Sequence, residues 1–166
     1  MKLSHKDIEL LQLIEKDANL SVSTLAKMLN VPEDEIQEKL DLFVKENIIV
    51  QYTALVNWSK VKEHNGVTAI IEVKVTPKRG VGFDEIAERI YKYPEVQSLY
   101  LMSGSYDLAV TVEGKSMNEV ASFVSDRLST LDSVLSTTTH FQLKKYKHDG
   151  TIFEDRDDDH RMVVTP

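Results

Sequence analysis

The side chains able to carry out acid–base, nucleophilic or metal chemistry are few in this chain and are spread along it. There are five histidines and no cysteine, so the chain offers no thiolate nucleophile, no disulfide framework and no cysteine-ligated zinc site. The histidines, at positions 5, 64, 140, 148 and 160, form no HExxH motif, and no GxSxG motif is present. The adjacent carboxylates of residues 157–159 lack the alternating ligands and central glycine of a calcium loop. We therefore expect no enzymatic activity, no metal site and no cofactor.

A second set of polar residues surrounds a glycine and is better suited to binding than to catalysis. The segment Ser103-Gly104-Ser105-Tyr106-Asp107 joins two predicted strands, and a glycine lets a ligand approach the backbone closely. In one interpretation Asp107 accepts from an α-ammonium group, while free N–H groups and hydroxyls hold an α-carboxylate. These hydroxyls belong to Ser103, Ser105, Thr137 and Thr139. In the other interpretation, which spacing alone favours, Gly104 only permits the turn, Asp107 caps it and Tyr106 packs at an interface.

The first third of the chain predicts short helices joined by a sharp turn. Ser21 suits a helix N-cap, and Leu20 and Leu25 have the spacing of a hydrophobic staple around it. Asn30 lies where the chain must turn, because asparagine tolerates the left-handed conformation. Pro32 fits the first turn of the next helix. Such a helix-turn-helix places its second helix in the DNA major groove; a plain three-helix bundle without a DNA role is the alternative.

Apolar periodicity indicates which residues of these helices face inward. The pattern Ser4-x-x-Asp7 predicts a capping box at the start of a first helix, and the last helix is predicted over Glu33 to Glu46, closed by Asn47. The residues expected to face the core are Ile8, Leu11 and Ile14, then Leu25, Ala26, Met28 and Leu29, then Ile36, Leu40, Phe43 and Val44. The β-branched and aromatic segment from Ile48 to Val56 predicts a strand pair, or wing.

The candidate DNA-contacting residues lie in the turn and on the two helices around it. They are Ser21, Ser23, Thr24, Lys27, Glu33, Asp34, Gln37, Glu38 and Lys39. This set is acidic, and residues 1–60 hold seven lysines, no arginine and ten Asp or Glu. Carboxylates repel phosphates and can accept only from bases such as cytosine, through its N4 group. We therefore expect weak binding at a single site and stronger binding when linked dimers engage several sites.

Composition limits the class of protein. With 42% hydrophobic and 28% charged residues, the 166-residue chain has room for one or two globular domains. Its net charge of −7 argues against non-specific nucleic-acid binding and leaves site-specific binding open. Its apolar runs are far shorter than the roughly 20 residues that span a bilayer, and its N-terminus lacks the apolar core of a signal peptide. We expect a cytoplasmic protein that does not bind a membrane.

From Gly66 onward the pattern changes to alternating strands and helices. Strands are predicted at Val67–Val75, Val96–Met102, Tyr106–Val112 and Val134–Leu143, with helices after the first and third of them. The order β-α-β-β-α-β is the ferredoxin-like arrangement, with both helices on one face of an open sheet. Because the bare face needs a partner, we expect a homodimer.

The predicted fold class is therefore α+β, with two domains and a tail. A winged helix-turn-helix occupies residues 1–60, with its helix-turn-helix at about 21–46. A ferredoxin-like domain occupies residues 66–146, and an acidic tail occupies residues 147–166. The tail is either solvated and mobile or docked on a neighbouring subunit through its few apolar residues.

This ordered set of motifs resembles the Lrp/AsnC (feast/famine) family of transcription regulators over about residues 3–147. The similar segments are Leu3-x-x-x-Asp7-x-x-x-Leu11, Asp17-Ala18, Leu20-Ser21, Leu25-Ala26, Ile48-Ile49-x-x-Tyr52-x-Ala54, Pro94-Glu95-Val96, Ser103-Gly104-Ser105-Tyr106-Asp107 and Val134-x-x-Thr137-x-Thr139. The chain departs from the family at Asn19, Asn30, Pro32 and Asn47, where relatives usually carry Arg, Gly, Ser and Gly. Relatives also tend to place Arg around Lys39 and Asp41.

The resemblance implies a regulator that binds double-stranded DNA through its first domain. It also implies that residues 66–146 bind an amino acid and assemble the chain into a dimer and then a tetramer or octamer. It therefore favours the ligand-binding interpretation of Ser103, Gly104, Ser105, Tyr106, Asp107, Thr137 and Thr139. The alternative function is an amino-acid sensing or assembly module with weak or no DNA binding, which the acidic second helix favours.

Overall fold

The computed structural model describes residues 2–76 and 82–153. The chain forms two compact units that divide between Val56 and Asn57. The acidic run of residues 154–159 lies outside the described residues.

Three helices build the N-terminal unit: α1 (His5–Lys16), α2 (Val22–Leu29) and α3 (Glu33–Lys45). They enclose a core of Leu10, Ile14, Leu25, Ala26, Leu29, Ile36 and Phe43. The predicted caps are confirmed, because the backbone N–H groups of Asp7 and Thr24 donate to the hydroxyls of Ser4 and Ser21. Pro32 stands one position earlier than predicted, as the N-cap of α3, and its side chain makes no capping hydrogen bond.

Three residues predicted to face this core, Ile8, Met28 and Val44, are exposed. The buried stripe of α1 runs through Asp7, Leu10 and Ile14 instead. Each of the three exposed residues is a sequence neighbour of a buried residue: Ile8 follows Asp7, Met28 precedes Leu29, and Val44 follows Phe43. A step of one residue turns the side chain by about 100° around the helix axis, so a neighbour of the stripe points away from the core.

The wing predicted from Ile48 to Val56 does not form. The described residues of the N-terminal unit contain no strand, and this segment pairs with no strand in residues 2–76 and 82–153. Residues 50–56 make no backbone–backbone hydrogen bond to the described residues, and Val50, Tyr52, Leu55 and Val56 are exposed. The unit is therefore a three-helix structure followed by a segment without regular secondary structure.

The C-terminal unit confirms the predicted order of strands and helices. After a short 3₁₀ turn at Trp58–Lys60, its elements are β1 (Val67–Val75), α4 (Gly82–Tyr91), β2 (Val96–Leu101), β3 (Leu108–Gly114), α5 (Met117–Phe123) and β4 (Val134–Phe141). The four strands form one antiparallel sheet in the order β2-β3-β1-β4. A π-helical turn, Val124–Leu128, extends α5, and within it the N–H of Ser129 donates to the carbonyl of Val124 at 2.8 Å.

One face of this sheet carries the core of the unit. Alternate residues of β1 and β3 are buried there with the apolar faces of α4 and α5: Ala69, Ile71, Val73, Val75, Leu108, Val110 and Val112, with Ile86, Ile90, Val120, Phe123 and Leu128. The other face carries Ile70, Glu72 and Lys74 of β1, of which Ile70 and Lys74 are exposed. The sheet therefore has one packed face and one open face.

Two segments differ from their predicted form. The third strand begins at Leu108 rather than Tyr106, because Asp107 closes the connection: its carbonyl accepts from the N–H of Met102 at 2.8 Å. The tail predicted from Lys147 begins with a small hairpin, β5 (Lys147–His148) and β6 (Thr151–Ile152). Its turn at Asp149 and Gly150 has positive φ at both positions, as a type I′ hairpin requires.

Candidate functional sites

The connection between α2 and α3 has the compact geometry of a helix-turn-helix. Asn30 adopts the left-handed conformation (φ 52°, ψ 56°) at the end of α2, and the N–H of Val31 donates back to Ala26 at 3.1 Å. Since α3 starts at Glu33, only three residues separate the two helices. The turn is therefore fixed by backbone geometry that asparagine accepts more readily than most residues.

A second asparagine in the left-handed conformation ends α3. Asn47 has φ 56°, the N–H of Ile48 donates to Phe43 at 2.8 Å, and the N–H of Asn47 donates to Val44 at 3.1 Å. These two bonds make a Schellman motif, which satisfies carbonyls that the helix end would leave unpaired. Both ends of α3 are thus set by residues that the sequence identified, Pro32 and Asn47.

A buried carboxylate joins α1 to α3. Asp7 is 6% exposed; its Oδ2 accepts from the backbone N–H and the hydroxyl of Ser4, each at 2.8 Å. Its Oδ1 lies 2.9 Å from the Nζ of Lys39. The Ser4 backbone hydrogen bond, helped by Lys39, holds the pKa of the Asp7 carboxyl below its usual value in spite of burial, which acts in the opposite direction.

This ion pair gives Lys39 a structural role that competes with its predicted contact to DNA. Its ammonium group is committed to a carboxylate of α1, and its side chain is 37% exposed. A lysine that neutralises a buried carboxylate is a poor phosphate ligand, because release from Asp7 would leave a buried charge with fewer partners. Lys27, the other lysine predicted to contact DNA, is exposed.

The other predicted contacts form an exposed, mostly acidic face. Glu33, Asp34, Gln37 and Glu38 are all exposed on α3, and the side-chain amide of Gln37 donates to Asp41 at 2.9 Å. On α2 the hydroxyls of Ser21 and Thr24 lie 2.8 Å apart, and Ser23 is half-buried. This face can accept hydrogen bonds from base edges, while its capacity to neutralise phosphates rests mainly on Lys27.

In the predicted effector hairpin, Asp107 has a structural role. Its Oδ2 accepts from the N–H of Val75 at 2.9 Å, and its own N–H donates to Val73 at 3.0 Å. The carboxylate thus ties the hairpin to the end of β1, as the capping interpretation proposed. Oδ1 of Asp107 has no hydrogen bond to the described residues, so it can still accept from a bound group.

Gly104 has no structural role in the isolated chain that demands glycine. Its φ lies outside the left-handed region, and a Cβ built there meets no atom within 4 Å. Ser103, Gly104 and Ser105 are exposed, while Tyr106 is half-buried. A side chain therefore fits at position 104, and the fold of the isolated chain does not require glycine there.

Thr137 and Thr139 lie on the helix-covered side of the edge strand β4. They pair in register with Val73 and Ile71, both core residues, and the hydroxyl of Thr137 lies 3.5 Å from that of Ser129. The backbone N–H of Asp107 donates to the carbonyl of Val73 from the other side of β1, the side away from β4. Since adjacent strands are about 4.8 Å apart, Asp107 and Thr137 are separated by roughly 10 Å, so the structure places them at the same level of the sheet without bringing them into contact.

Sequence reasoning missed the polar residues that follow α5. Ser129 lies beside Thr137, and Asp126 accepts from the hydroxyl of Ser125 at 2.8 Å on the π-helical turn. A π-turn inside a helix is often found at a functional site, but apolar periodicity does not distinguish it from a regular helix. The hydroxyls in Asp126-x-x-Ser129-Thr130 are the only signal in the sequence.

The open face of the sheet carries apolar side chains and a contact between a histidine and a carboxylate. Tyr100 of β2 is 61% exposed and Ile70 of β1 is 42% exposed. His140 of β4, which pairs with Ile70 in register, places its Nε2 3.4 Å from the Glu72 carboxylate. Within the described ranges no helix is long and apolar enough to cross a membrane, and no group of three or more His, Cys, Asp or Glu could hold a metal ion.

Comparison with known proteins adds a family and a fold. Residues 68–152 match the model of the Lrp/AsnC ligand binding domain. The whole chain is 58% identical, over 166 residues and 100% of both chains, to the uncharacterized HTH-type transcriptional regulator YugG of Bacillus subtilis (strain 168). This relative is a transcriptional regulator by its name.

Solved structures share the architecture of the chain. A transcriptional regulator of Neisseria meningitidis, crystallised as a complex with L-Met, is 26% identical and superposes with a TM-score of 0.70 over 89% of this chain and 94% of its own. The AsnC protein of E. coli is 18% identical and superposes with a TM-score of 0.69 over 93% of this chain and 100% of its own. At 18% identity, the second likeness concerns the fold alone.

Proposed function

Because the chain belongs to the Lrp/AsnC family of transcriptional regulators, we propose that it binds specific DNA sequences and that an amino acid or a related metabolite controls its assembly. One observation carries this proposal: a helix-turn-helix fixed at Asn30 and Asn47 shares a chain with a match to a ligand-binding domain. The first unit has the geometry to enter a major groove, and the second has an exposed glycine that the isolated fold does not require.

The proposed DNA-contacting face consists of the start of α2 and the exposed side of α3. Lys27 and the hydroxyls of Ser21, Ser23 and Thr24 contact phosphates. The carboxylates of Glu33, Asp34 and Glu38 and the amide of Gln37 contact base edges. Lys39 takes no part, since it is held by Asp7.

The proposed effector site is built around the hairpin of residues 103–107. The free Oδ1 of Asp107 accepts from an ammonium group, and Ser103, Ser105 and the exposed backbone at Gly104 hold a carboxylate. Thr137 and Thr139 lie beyond β1 from Asp107, so one protomer does not close a small site around both groups. We therefore place the effector between protomers, with the hairpin of one copy and the hydroxyls of Thr137 and Thr139 of another completing the site. The L-Met complex of the Neisseria meningitidis relative supports an amino-acid ligand.

Two surfaces support assembly of the chain with copies of itself. The open sheet face exposes Tyr100 and Ile70, and sheets of this kind bury such a face against a partner. Residues 50–56 expose apolar side chains, and their backbone groups make no backbone hydrogen bond to the rest of the described chain; the same segment of a second copy can pair with them as a strand. We propose a homodimer through these surfaces and a tetramer or octamer of dimers.

Effector control then follows from a shift between assemblies. A ligand held between protomers stabilises only the assembly in which its site is complete. The assembly in turn sets which DNA half-sites are presented together, so ligand and DNA affect each other's binding by the same factor.

Selection of bound fragments from genomic DNA, followed by anisotropy titrations at several salt concentrations, tests this function. We expect the selected DNA to bind at least about 10³-fold more tightly than scrambled DNA of the same length at physiological salt. The Glu38→Gln variant should bind scrambled DNA more tightly, because a phosphate-repelling charge is gone, and discriminate less between sequences. Equal affinity for selected and scrambled DNA would contradict the proposal.

The acidic face of α3 favours a second function, a sensing or assembly module with weak or no DNA binding. It predicts no measurable retention of DNA even at about 50 mM salt, where phosphate contacts are strongest, together with an effector-dependent change in mass. The first function predicts both retention and the change in mass.

A further inference from the structure

The exposed side of α3 carries one side chain that can both donate and accept hydrogen bonds. The candidate base contacts of this helix, all within the described part of the chain, are Glu33, Asp34, Gln37 and Glu38. An ionised carboxylate only accepts, whereas a carboxamide offers two N–H donors and a carbonyl acceptor. Gln37 can therefore recognise a base edge that presents a donor beside an acceptor, which its acidic neighbours cannot.

Gln37 lies where the second helix of a helix-turn-helix meets base edges. It is the fifth residue of α3, which begins at Glu33, and a rise of 1.5 Å per residue places it about 6 Å along the axis from the first residue. Recognition helices contact base edges with their N-terminal residues. The side chain of Gln37 is exposed and that of its neighbour Ile36 is buried, so Gln37 lies outside the stripe that packs on the core.

A hydrogen bond along the helix orients the carboxamide of Gln37. Its Nε2 donates to Oδ1 of Asp41 at 2.9 Å, about one turn further along α3, and both side chains are exposed. Chemistry determines which end of the amide faces Asp41, because an ionised carboxylate has no proton to donate and must face the nitrogen. The carbonyl oxygen of Gln37 consequently points away from Asp41.

The bond to Asp41 leaves Gln37 one donor and its acceptor. It uses one of the two amide hydrogens, and neither the other hydrogen nor the carbonyl oxygen has a hydrogen-bond partner among the described residues. A donor beside an acceptor matches adenine, whose major-groove edge presents the N7 acceptor next to the N6 amino donor. Guanine presents two acceptors there and cytosine presents a donor, so neither offers the same pair.

We propose that Gln37 reads an adenine in the major groove and that Asp41 is its positioning residue. Gln37 donates to N7 and accepts from the N6 amino group of the same base, while Asp41 holds the remaining amide hydrogen. This inference rests on the proposed DNA-binding function and specifies one base pair of its half-site. All the protein groups involved belong to α3.

Asp41 acts by limiting the conformers of Gln37 rather than by touching DNA. A free glutamine side chain loses rotamer freedom when it binds, and this ordering weakens binding. The stability of a Gln–Asp pair four residues apart on an exposed helix sets the lower end of the gain in discrimination at about 2-fold. The full cost of ordering one such side chain sets the upper end at about 10-fold.

The test measures the preference for each base pair at every position of the selected half-site. The selected DNA is synthesised with every single base-pair substitution, made in both half-sites, and titrated by fluorescence anisotropy. The wild type should lose about 5- to 150-fold in affinity per half-site when the adenine is replaced. The Gln37→Ala variant should lose this preference and keep the preferences at the other positions.

Three further variants separate base reading from charge. Gln37→Arg should move the preference at this position from adenine to guanine, because arginine matches the O6 and N7 acceptors. Asp41→Ala should reduce the preference for adenine about 2- to 10-fold. Asp41→Asn loses the same charge but keeps an acceptor, so it should retain most of the preference. All four variants should melt within about 4 °C of the wild type.

The slope of log affinity against log salt, here called the salt slope, distinguishes a base contact from a phosphate contact. Each phosphate contact contributes about 0.9 to its magnitude, so Gln37→Ala should keep the wild-type salt slope. A smaller salt slope in this variant, with every sequence weakened equally, would overturn the inference in favour of a phosphate contact.

Other outcomes assign the failure. Unchanged base preferences in Gln37→Ala would overturn the inference and leave the helix-turn-helix function intact. Loss of a preference for a base other than adenine would overturn the pairing with adenine, and a wild-type preference in Asp41→Ala would overturn the role of Asp41. A wild type that binds selected and scrambled DNA equally would overturn the proposed function itself.

Discussion

Lys39 provides a sharp test because its position in the sequence and its position in the structure predict opposite results. As a residue of the second helix it is a candidate phosphate contact. In the structure its ammonium group lies 2.9 Å from the buried carboxylate of Asp7. We predict that Lys39→Gln destabilises the helical unit and leaves the salt dependence of DNA binding unchanged.

The size of the loss follows from the exposure of the two partners. The side chain of Asp7 is 8% exposed and that of Lys39 is 37% exposed, so solvent screens the pair from one side. In the variant Asp7 keeps both donors from Ser4 and is not left without partners. Such a pair is worth about 0.5–1 kcal/mol, and each kcal/mol lowers the melting temperature of a small unit by roughly 4–8 °C.

Urea denaturation followed by circular dichroism measures this loss, with Asp7→Asn and the double variant completing a cycle. The coupling between the two positions should equal about 0.5–1 kcal/mol. The matched control is Lys27→Gln, which removes an exposed lysine of α2; it should change stability by less than about 0.5 kcal/mol and lower the salt slope by about 0.9. A Lys39→Gln variant with wild-type stability and a reduced slope would refute the structural role of Lys39.

Further predictions concern pH, the helix end and the effector hairpin. Because the pKa of Asp7 is lower in the folded state than in the unfolded state, its contribution to stability is fully present above about pH 4. The stability difference between the wild type and Asp7→Asn should therefore shrink as the pH falls below that value, and a difference that grows on acidification would count against it. Asn47→Ala should cost about 1–2 kcal/mol, because φ of 56° is unfavourable for alanine, whereas Asn47→Gly should be tolerated in denaturation measurements. Gly104→Ala should keep the wild-type melting temperature, since its Cβ meets no atom within 4 Å, but should weaken any effector-dependent change in mass; a loss of stability would show that Gly104 serves the fold after all.

The features that the sequence predicted correctly depend on neighbouring residues. The caps at Ser4 and Ser21 and the turns at Asn30 and Asn47 each involve side chains and backbone groups within a few positions of one another. Strand β1 was predicted with its observed bounds, Val67–Val75, since alternation is a local property. Local chemistry of this kind is readable without knowing the tertiary structure.

The features that escaped prediction depend on which residues far apart in the sequence come into contact. The pairing of Lys39 with Asp7 joins two helices, and apolar periodicity says nothing about which polar groups meet. The wing failed because residues 50–56 have strand-like composition but no partner among the described residues.

A β-bulge in β4 determines which face of the sheet carries the side chains of Thr137 and Thr139, and the sequence pattern did not predict it. Val75 pairs with Val134, yet Lys74 pairs with Ser136, so Leu135 is an additional residue in β4. This shift moves Thr137 and Thr139 to the helix-covered side, opposite to the side that simple alternation from Val134 predicts. The sequence therefore predicts these two threonines as candidate residues but does not predict the direction of their side chains.

Light scattering after size-exclusion chromatography, with and without each of the twenty amino acids, tests the central claim most directly. We predict that at least one amino acid shifts the mass of the protein between multiples of the dimer. The Gly104→Asp variant should lose this shift and keep the melting temperature of the wild type. An unchanged mass with every amino acid would contradict effector-controlled assembly and the assignment of the site to residues 103–107.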